Sequence, residues 1–311
     1  MKEDVIVIVG PTAVGKTALG IHLAKQLNTD VISCDSMQIY KGMDIGTGKV
    51  TEEEAEGVKH WMIDLIEPSQ SYSVAQFQSA VRQAIKHIHA KGKIPILVGG
   101  SGLYVQAILY DYHFNETKRN EQLTRQLEEK AEEKGKEALY DELKEVDPEQ
   151  ADKIHPNNLR RVIRALESYY ETGVKMSERG GADEKEALYN HFIIGLHMER
   201  KALYEQINAR VDGMVNQGLL EEVNRLYHMY GKDLQAMRGI GYKELIPYLE
   251  GDLSLEAAIN DLKQNSRRFA KRQYTWFKNK MPVHWYELNQ DNMQSIYDHI
   301  YQDLLTSLHI K

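Results

Sequence analysis

Cysteine is all but absent from this 311-residue chain. Cys34 stands alone, which excludes an intramolecular disulfide and removes the thiolates that most zinc sites use. Its place in an apolar run marks it as a small packed strand residue. Long hydrophobic runs are missing as well: no stretch suffices to span a bilayer, and Met1-Lys2-Glu3-Asp4 leads into a strand-like segment without the n-region and h-region of a signal peptide. A cytoplasmic protein with no membrane association and no zinc is expected. Internal repeats and low-complexity segments are also lacking. With 42% hydrophobic and 27% charged residues the composition is that of a soluble globular protein. The length exceeds a usual single core, so one domain with a sizeable insertion, or a second domain, is expected.

Positive charge is in deficit overall, 39 Lys and Arg against 46 Asp and Glu, which taken whole argues against a polyanionic partner. The distribution argues otherwise. Asp111 to Gln150 holds thirteen acids against seven bases, whereas Lys263 to Lys280 carries Lys263, Arg267, Arg268, Lys271, Arg272, Lys278 and Lys280 with no acid. Nucleic-acid contact is decided by local sign rather than by the total.

The most informative stretch is Gly10-Pro11-Thr12-Ala13-Val14-Gly15-Lys16-Thr17, which fits G-x-x-x-x-G-K-[ST]. Asp4 to Val9 before it reads as a buried parallel strand, and Leu19, Leu23 and Leu27 after it recur at helical spacing. The strand, tight turn and helix that give the motif meaning are therefore in place. In such a loop the backbone N–H groups and the helix N-terminus face an anion. Lys16 neutralises outer phosphate oxygens, and the Thr17 hydroxyl is placed to ligate Mg2+.

Strand-like and helix-like segments then alternate: Asp30 to Cys34, a capping box at Thr51 to Glu54, Trp61 to Leu65, Val74 to Lys91 and Ile94 to Val98. The pattern predicts an α/β fold with a P-loop NTPase-like parallel sheet flanked by helices. From 112 to 190 the chain is charged, helical in pattern and poor in strand formers, so an all-helical insertion domain is expected there. The catalytic core is then 1–111 with 191–311, the latter running from a strand at His191 to Leu196 through helices from Arg200 to Asn279, a late strand and a terminal helix.

Four further segments carry candidate chemistry. Asp35 and Gln38 follow the second strand at the sheet edge where ligands bind, and a carboxylate and an amide suit a base edge; an Asx turn, or for Asp35 a contact to the groups that ligate Mg2+, fits the same pattern. Ser101, in Gly99-Gly100-Ser101-Gly102, reads as a ligand hydrogen-bond donor or as a plain helix N-cap. Arg160, Arg161 and Arg164 share one side of a helix opened by Pro156, as a phosphate or RNA contact or a solvated face. Arg238 sits in a Gly-flanked bend, which suits a diphosphate clamp or a C-cap. The basic segment has Ile259, Leu262, Ser266, Phe269, Gln273 and Trp276 on one face and cations with interleaved aromatics elsewhere, matching an RNA-binding surface or a core helix with solvated cations.

Taken together, Gly10 to Thr17, Asp35 to Lys49 (DSMQIYKGMDIGTGK), Gly99 to Tyr104, His155 to Glu167, Arg238 to Glu244 and Arg272 to Trp276 (RQYTW) closely resemble the tRNA dimethylallyltransferases, over essentially the whole chain. The P-loop is generic; the Asp35 block and Arg-Gln-x-Thr-Trp are specific to that family. Lacking the cysteines of a C-terminal zinc finger, the chain resembles the bacterial type. The resemblance implies transfer of a dimethylallyl group from dimethylallyl diphosphate to N6 of the adenosine 3' to a tRNA anticodon, with Mg2+ as cofactor and the chain acting as a monomer. It implies Lys16, Thr17, Asp35, Ser101 and Arg238 as catalytic residues, Asp35 taking the amine proton. It also implies tRNA contacts from Asp35, Ser36, Met37, Gln38, Ser101, Arg160, Arg161, Arg164, Arg267, Arg268, Lys271 and Arg272, with the insertion and basic helix gripping the anticodon arm. A P-loop small-molecule kinase, an adenylate isopentenyltransferase acting on free nucleotide, and a non-catalytic RNA-binding protein with a nucleotide switch are the rival readings. Neutralising Arg267, Arg268, Lys271 and Arg272 together should weaken tRNA binding and flatten its dependence on salt. Titrating tRNA at several salt concentrations measures this, and an unaltered slope returns the four residues to a merely solvated face.

Overall fold

The apolar run before the glycine-rich loop is a central strand, β1 (Asp4–Val9), in which Val5 to Val9 are fully buried. A parallel strand covered on both faces requires such a run. The computed structural model describes residues 2–110, 120–178, 186–289 and 291–308. They divide into two compact units, Met1–Asp111 with Ala187–Lys311, and Tyr112–Glu186. Residues 187–190, assigned above to the insertion, thus lie with the sheet. The Leu188 N–H donates to the Leu109 carbonyl at 2.8 Å, Tyr189 is buried in the core, and Asn190 opens a strand.

In the first unit β1 is followed by α1 (Lys16–Gln26), β2 (Val31–Ser33), α2 (Glu52–Ala55), β3 (His60–Trp61), α3 (Val74–His89), β4 (Ile96–Val98) and α4 (Gly102–Leu109). The second unit contains α5 (Glu121–Lys134), α6 (Lys136–Val146), α7 (Pro148–Asp152) and α8 (Leu159–Thr172). The chain then returns to the first with β5 (Asn190–His197), α9 (Arg200–Asn216), α10 (Leu219–Tyr230), α11 (Ile246–Leu249), α12 (Leu255–Lys280), β6 (His284–Glu287) and α13 (Met293–Ser307). Thr51 and Glu54 cap α2 reciprocally, as expected, and Ser73 with Gln76 does the same for α3. The run Trp61 to Leu65 gives a strand only at its start, because Met62 and Asp64 adopt positive φ of 67° and 53°, which ends pairing.

The six strands form one sheet in the order β3-β2-β4-β1-β5-β6, and every pairing is parallel. Alternation along β1 splits the core: Val5, Val7 and Val9 pack with Phe77 and Val81 of α3, while Ile6 and Ile8 pack with Leu19 and Leu23 of α1 and Ile300 of α13. Because β2, β4 and β1 are neighbours, the loops leaving their C-terminal ends lie side by side. Those loops carry Asp35, Gly99-Gly100 and the Gly10 to Thr17 motif. In the second unit α5 to α8 enclose a separate core of Leu127, Leu139, Leu143, Val162 and Leu166.

Helix α12 buries Ala258, Leu262, Ser266, Ala270, Gln273 and Phe277. The stripe read from sequence ran one residue early at Phe269 and Trp276: Ala270 is too small to signal burial, and the adjacent aromatics Trp276 and Phe277 are not told apart by apolarity alone. Those two aromatics instead flank the buried stripe and work at its border. The Trp276 ring packs so close to Gly102 that a Cβ there would meet its Cε3 at 2.1 Å. Gly102→Ala should therefore cost about 1–3 kcal/mol of stability through overpacking, read as a lowered denaturation midpoint.

Candidate active site

The glycine motif bends β1 into α1, and the helix begins at Lys16 with no side-chain cap and no acid in its first turn. Its first N–H groups are therefore left for an anion. The Lys16 ammonium donates to the Pro11 carbonyl at 2.7 Å and lines a cavity with Thr12, Thr17, Asp35 and Gly100.

Asp35 follows β2 and lies on this cavity and on a second one beside it. Its Oδ1 accepts the Met37 N–H at 2.8 Å, so the Asx turn is present, and the turn holds the carboxyl in place. Burial raises its pKa, opposed by that backbone bond and by the nearby Lys16 and Arg210 cations. Gln38 lines the first cavity with its amide engaged internally: Oε1 accepts from the Ser33 hydroxyl at 2.7 Å and Nε2 donates to the Thr47 and Gly48 carbonyls at 3.4 Å.

Arg210, on α9, was not legible in the sequence. Arg210 is exposed as a residue, and its guanidinium, which lines both cavities and is partly desolvated there, has no hydrogen-bond or ion-pair partner among the described residues. It lies against Gly48, where a Cβ would sit 1.7 Å from Nη2. A partly desolvated cation with no partner is a position where an anion would gain charge-assisted hydrogen bonds. Arg238, the arginine expected here, is elsewhere. It ends a short 3-10 turn, is exposed, donates to the Asp233 carbonyl at 3.2 Å, and lines neither cavity. The Gly-flanked bend it occupies brings Gly239, Ile240 and Gly241 to the second cavity instead.

The loop bearing Thr47 and Gly48 is held by Glu222 of α10. Its carboxylate accepts the consecutive N–H groups of Asp44, Ile45 and Gly46 at 2.9, 2.9 and 3.0 Å and the Tyr242 hydroxyl at 2.6 Å. Lys49 anchors the far end through the Tyr40 carbonyl at 3.0 Å and through Asp44 and Asp64, both at 2.6 Å. Nothing in the pattern of α10 marked Glu222, which reads as one more acid on an amphipathic helix.

The second cavity adds an apolar wall of Ile207, Val211, Met214, Ile240, Leu262 and Phe269 to the polar groups Asp35, Arg210 and Ser101, with Ser36 and Met37 also on it. Ser101 holds the N-cap position of α4 but makes no capping hydrogen bond, so the purely structural role is not the one its hydroxyl plays. On α12, Arg267 donates to Asn208 of α9 at 2.6 Å and Lys263 pairs with Asp212 at 2.6 Å, which fixes the helix that carries Arg210. Arg268, Lys271 and Arg272 are exposed. In the second unit Arg160, Arg161 and Arg164 are exposed along α8, with Arg164 3.4 Å from Glu167; Pro156 lies in the preceding turn and Asn158 is the N-cap. Cys34 is buried and its thiol pushed up by burial, in keeping with a packing role.

A family model described as IPP transferase matches residues 38–280. The chain belongs to this family. Similar proteins include a tRNA dimethylallyltransferase of Anoxybacillus flavithermus, 52% identical over 293 residues, 94% of this chain and 93% of that protein. Another, from Oceanobacillus iheyensis, is 53% identical over 98% of this chain and 97% of its own. Among solved structures, the full-length tRNA isopentenylpyrophosphate transferase of Bacillus halodurans superposes with a TM-score of 0.73 at 46% identity, covering 99% of both chains. A eukaryotic dimethylallyltransferase described as acting on tRNA superposes with a TM-score of 0.84 at 32% identity, over 99% of this chain and 79% of that one. The parallel P-loop sheet is thus the fold of the tRNA isopentenyltransferases.

Two cations placed in this way should set the affinity of the cavity for an anion. Burial, and secondly Arg210, drive Lys16 down to about 7 against the opposing pull of Asp35. An arriving anion favours the protonated amine, so above that pH binding takes up a proton and affinity for inorganic diphosphate falls as pH rises. Calorimetry in two buffers of different ionisation heat checks the uptake. Arg210→Ala should weaken the same binding by about 1.5–3 kcal/mol, and Arg210→Lys should recover little of it, because an ammonium lacks the planar fork.

Proposed function

We propose that the chain transfers a dimethylallyl group from dimethylallyl diphosphate to N6 of the adenosine 3'-adjacent to the anticodon of tRNA, releasing diphosphate. The observation that carries this reading is the partnerless Arg210 guanidinium that lines a cavity with Lys16 and a second, apolar-walled one, with the Asp35 carboxyl common to both. A ligand with a diphosphate head and a short apolar tail satisfies all three. The relatives named above, tRNA dimethylallyl and isopentenylpyrophosphate transferases, support the same substrate and reaction.

The donor's C–O bond breaks with its electron pair passing to diphosphate, where the loop N–H groups, Lys16 and Arg210 stabilise the developing charge. The adenine N6 lone pair forms the new C–N bond, and the proton it sheds goes to Asp35, whose raised pKa suits a base. The Ser101 hydroxyl is assigned to orient the acceptor. Among the described residues no group of three or more His, Cys, Asp or Glu is arranged to hold a metal. Mg2+ commonly takes one or two protein ligands plus phosphate oxygens, and the Thr17 hydroxyl on the cavity wall fits that donor set. Mg2+ bound there supplies charge neutralisation of the leaving diphosphate.

The target base must leave its stack to reach Asp35. Backbone contacts to the anticodon arm are assigned to Arg268, Lys271 and Arg272 on α12, with Arg267 committed inward to Asn208, and to Arg160, Arg161 and Arg164 on α8. We read the enzyme as a cytoplasmic monomer; among the described residues no helix is long and apolar enough to cross a membrane.

Incubating the purified protein with tRNA, Mg2+ and dimethylallyl diphosphate should add one dimethylallyl group to tRNA, read by mass spectrometry of the digested nucleosides. Unchanged tRNA, or γ-phosphate transfer from ATP to a nucleoside instead, defeats the reading. Asp35→Asn should lower turnover by about 10²–10⁴-fold while sparing diphosphate binding. Loss of Mg2+-dependent diphosphate binding in that variant would move Asp35 to the metal site.

A further inference from the structure

The buried stripe of α12 contains one large polar residue, Gln273, only 7% exposed between Ala270 and Phe277. A buried primary amide is costly unless both ends are satisfied. Here both are: Oε1 accepts the Thr12 N–H at 2.8 Å and Nε2 donates to the Gly100 carbonyl at 3.1 Å. One side chain therefore ties the loop after β1 to the loop after β4.

Two features show that the surroundings are shaped to this contact. A Cβ on Gly100 would lie 2.0 Å from the Gln273 Nε2, so a glycine is needed for the amide to reach its acceptor. On the other side, Thr12 is followed by Ala13, whose φ is 66°. A residue with a Cβ holds that left-handed conformation only when its neighbours fix it. The other positive-φ positions of the loop, Gly10 and Gly15, are glycines. The one non-glycine residue in this conformation thus follows directly on the amide that Gln273 grips.

We propose that Gln273 is a positioning residue for the diphosphate cradle, its amide fixing the loop turn in which the N–H groups and Lys16 face the leaving group. The proposal rests on the reading of the Gly10 to Thr17 loop as a diphosphate site. It also accounts for the glutamine of the Arg-Gln-x-Thr-Trp block, which on an RNA-facing surface alone has no reason to be buried.

The test compares the wild-type enzyme with Gln273→Met and Gln273→Glu. For each, the Kd for Mg2+-diphosphate, the donor KM, kcat, the tRNA Kd with its salt slope, and the melting temperature are measured. Gln273→Met keeps the volume and removes both hydrogen bonds. It should raise the diphosphate Kd and donor KM about tenfold or more and leave the tRNA Kd and salt slope unchanged. Gln273→Glu keeps the acceptor for Thr12 but lacks a donor for Gly100 until it is protonated, so its defect relative to wild type should shrink as pH falls. Wild-type diphosphate affinity and donor KM in a folded Gln273→Met enzyme overturn the proposal, as does a Gln273→Glu defect that is constant across pH. The Gln273→Glu profile decides the matter if the Met variant does not fold. Wild-type enzyme that fails to bind diphosphate defeats the cradle reading itself, whereas normal wild-type binding with unaffected variants defeats only the role of Gln273.

Discussion

Three ionisable groups from three parts of the chain, Lys16, Asp35 and Arg210, line one cavity, and their charges do not cancel. Two cations face one carboxyl whose own pKa is raised by burial. Removing charge from water without full compensation is among the most expensive things a fold does. The surrounding structure holds the three side by side at the mouth of the sheet, partly withdrawn from water. Groups fixed in this way would need little rearrangement to meet an anion.

Each holding contact is itself a buried polar bond with a defined reach. Glu222 gathers three successive N–H groups and so sets the loop whose Gly48 gives Arg210 its space. Asn208 and Asp212 bind Arg267 and Lys263, fixing the helix of Arg210 against α12. From α12 itself Gln273 reaches the P-loop and Trp276 closes on Gly102. The glycines of one motif and the large side chains of another are complementary parts of one contact. This explains why the blocks Gly99 to Tyr104 and Arg272 to Trp276 are both recognisable despite lying far apart in the chain. The cations of α12 accordingly divide into an inner pair that braces the site and an outer set open to a polyanion.

Much of the fold was legible in the sequence because local patterns carried it. A continuous β-branched run could only be a doubly covered strand, the capping box at Thr51 opened a helix where expected, and the glycine motif required a strand before it and a helix after it. The misreadings have separate local causes. Trp61 to Leu65 looked like a strand until two positive-φ residues cut it short, and the buried stripe of α12 was displaced because alanine at 258 and 270 is too small to signal burial. For the site, Lys16, Thr17, Asp35 and Ser101 stood at loop positions that motif spacing identifies. Arg210 did not, since it lies in the middle of a helix with no motif around it. Arg238 was preferred for its glycine-flanked bend, a local feature that says nothing about which way the guanidinium turns.

The sequence by itself determined the glycine-rich loop between a strand and a helix, the parallel α/β class, the helical character of the insertion, the family and the sign of charge on α12. These follow from residue type and short-range spacing, which backbone geometry translates directly. Only the tertiary structure decided which arginine lines the cavity with Lys16 and Asp35, that Glu222 and Gln273 are buried braces rather than surface polar groups, and that Arg267 turns inward. Those outcomes depend on which side chains of distant segments come within hydrogen-bond reach once the sheet order places β2, β4 and β1 side by side. A periodicity along one helix contains no such distance.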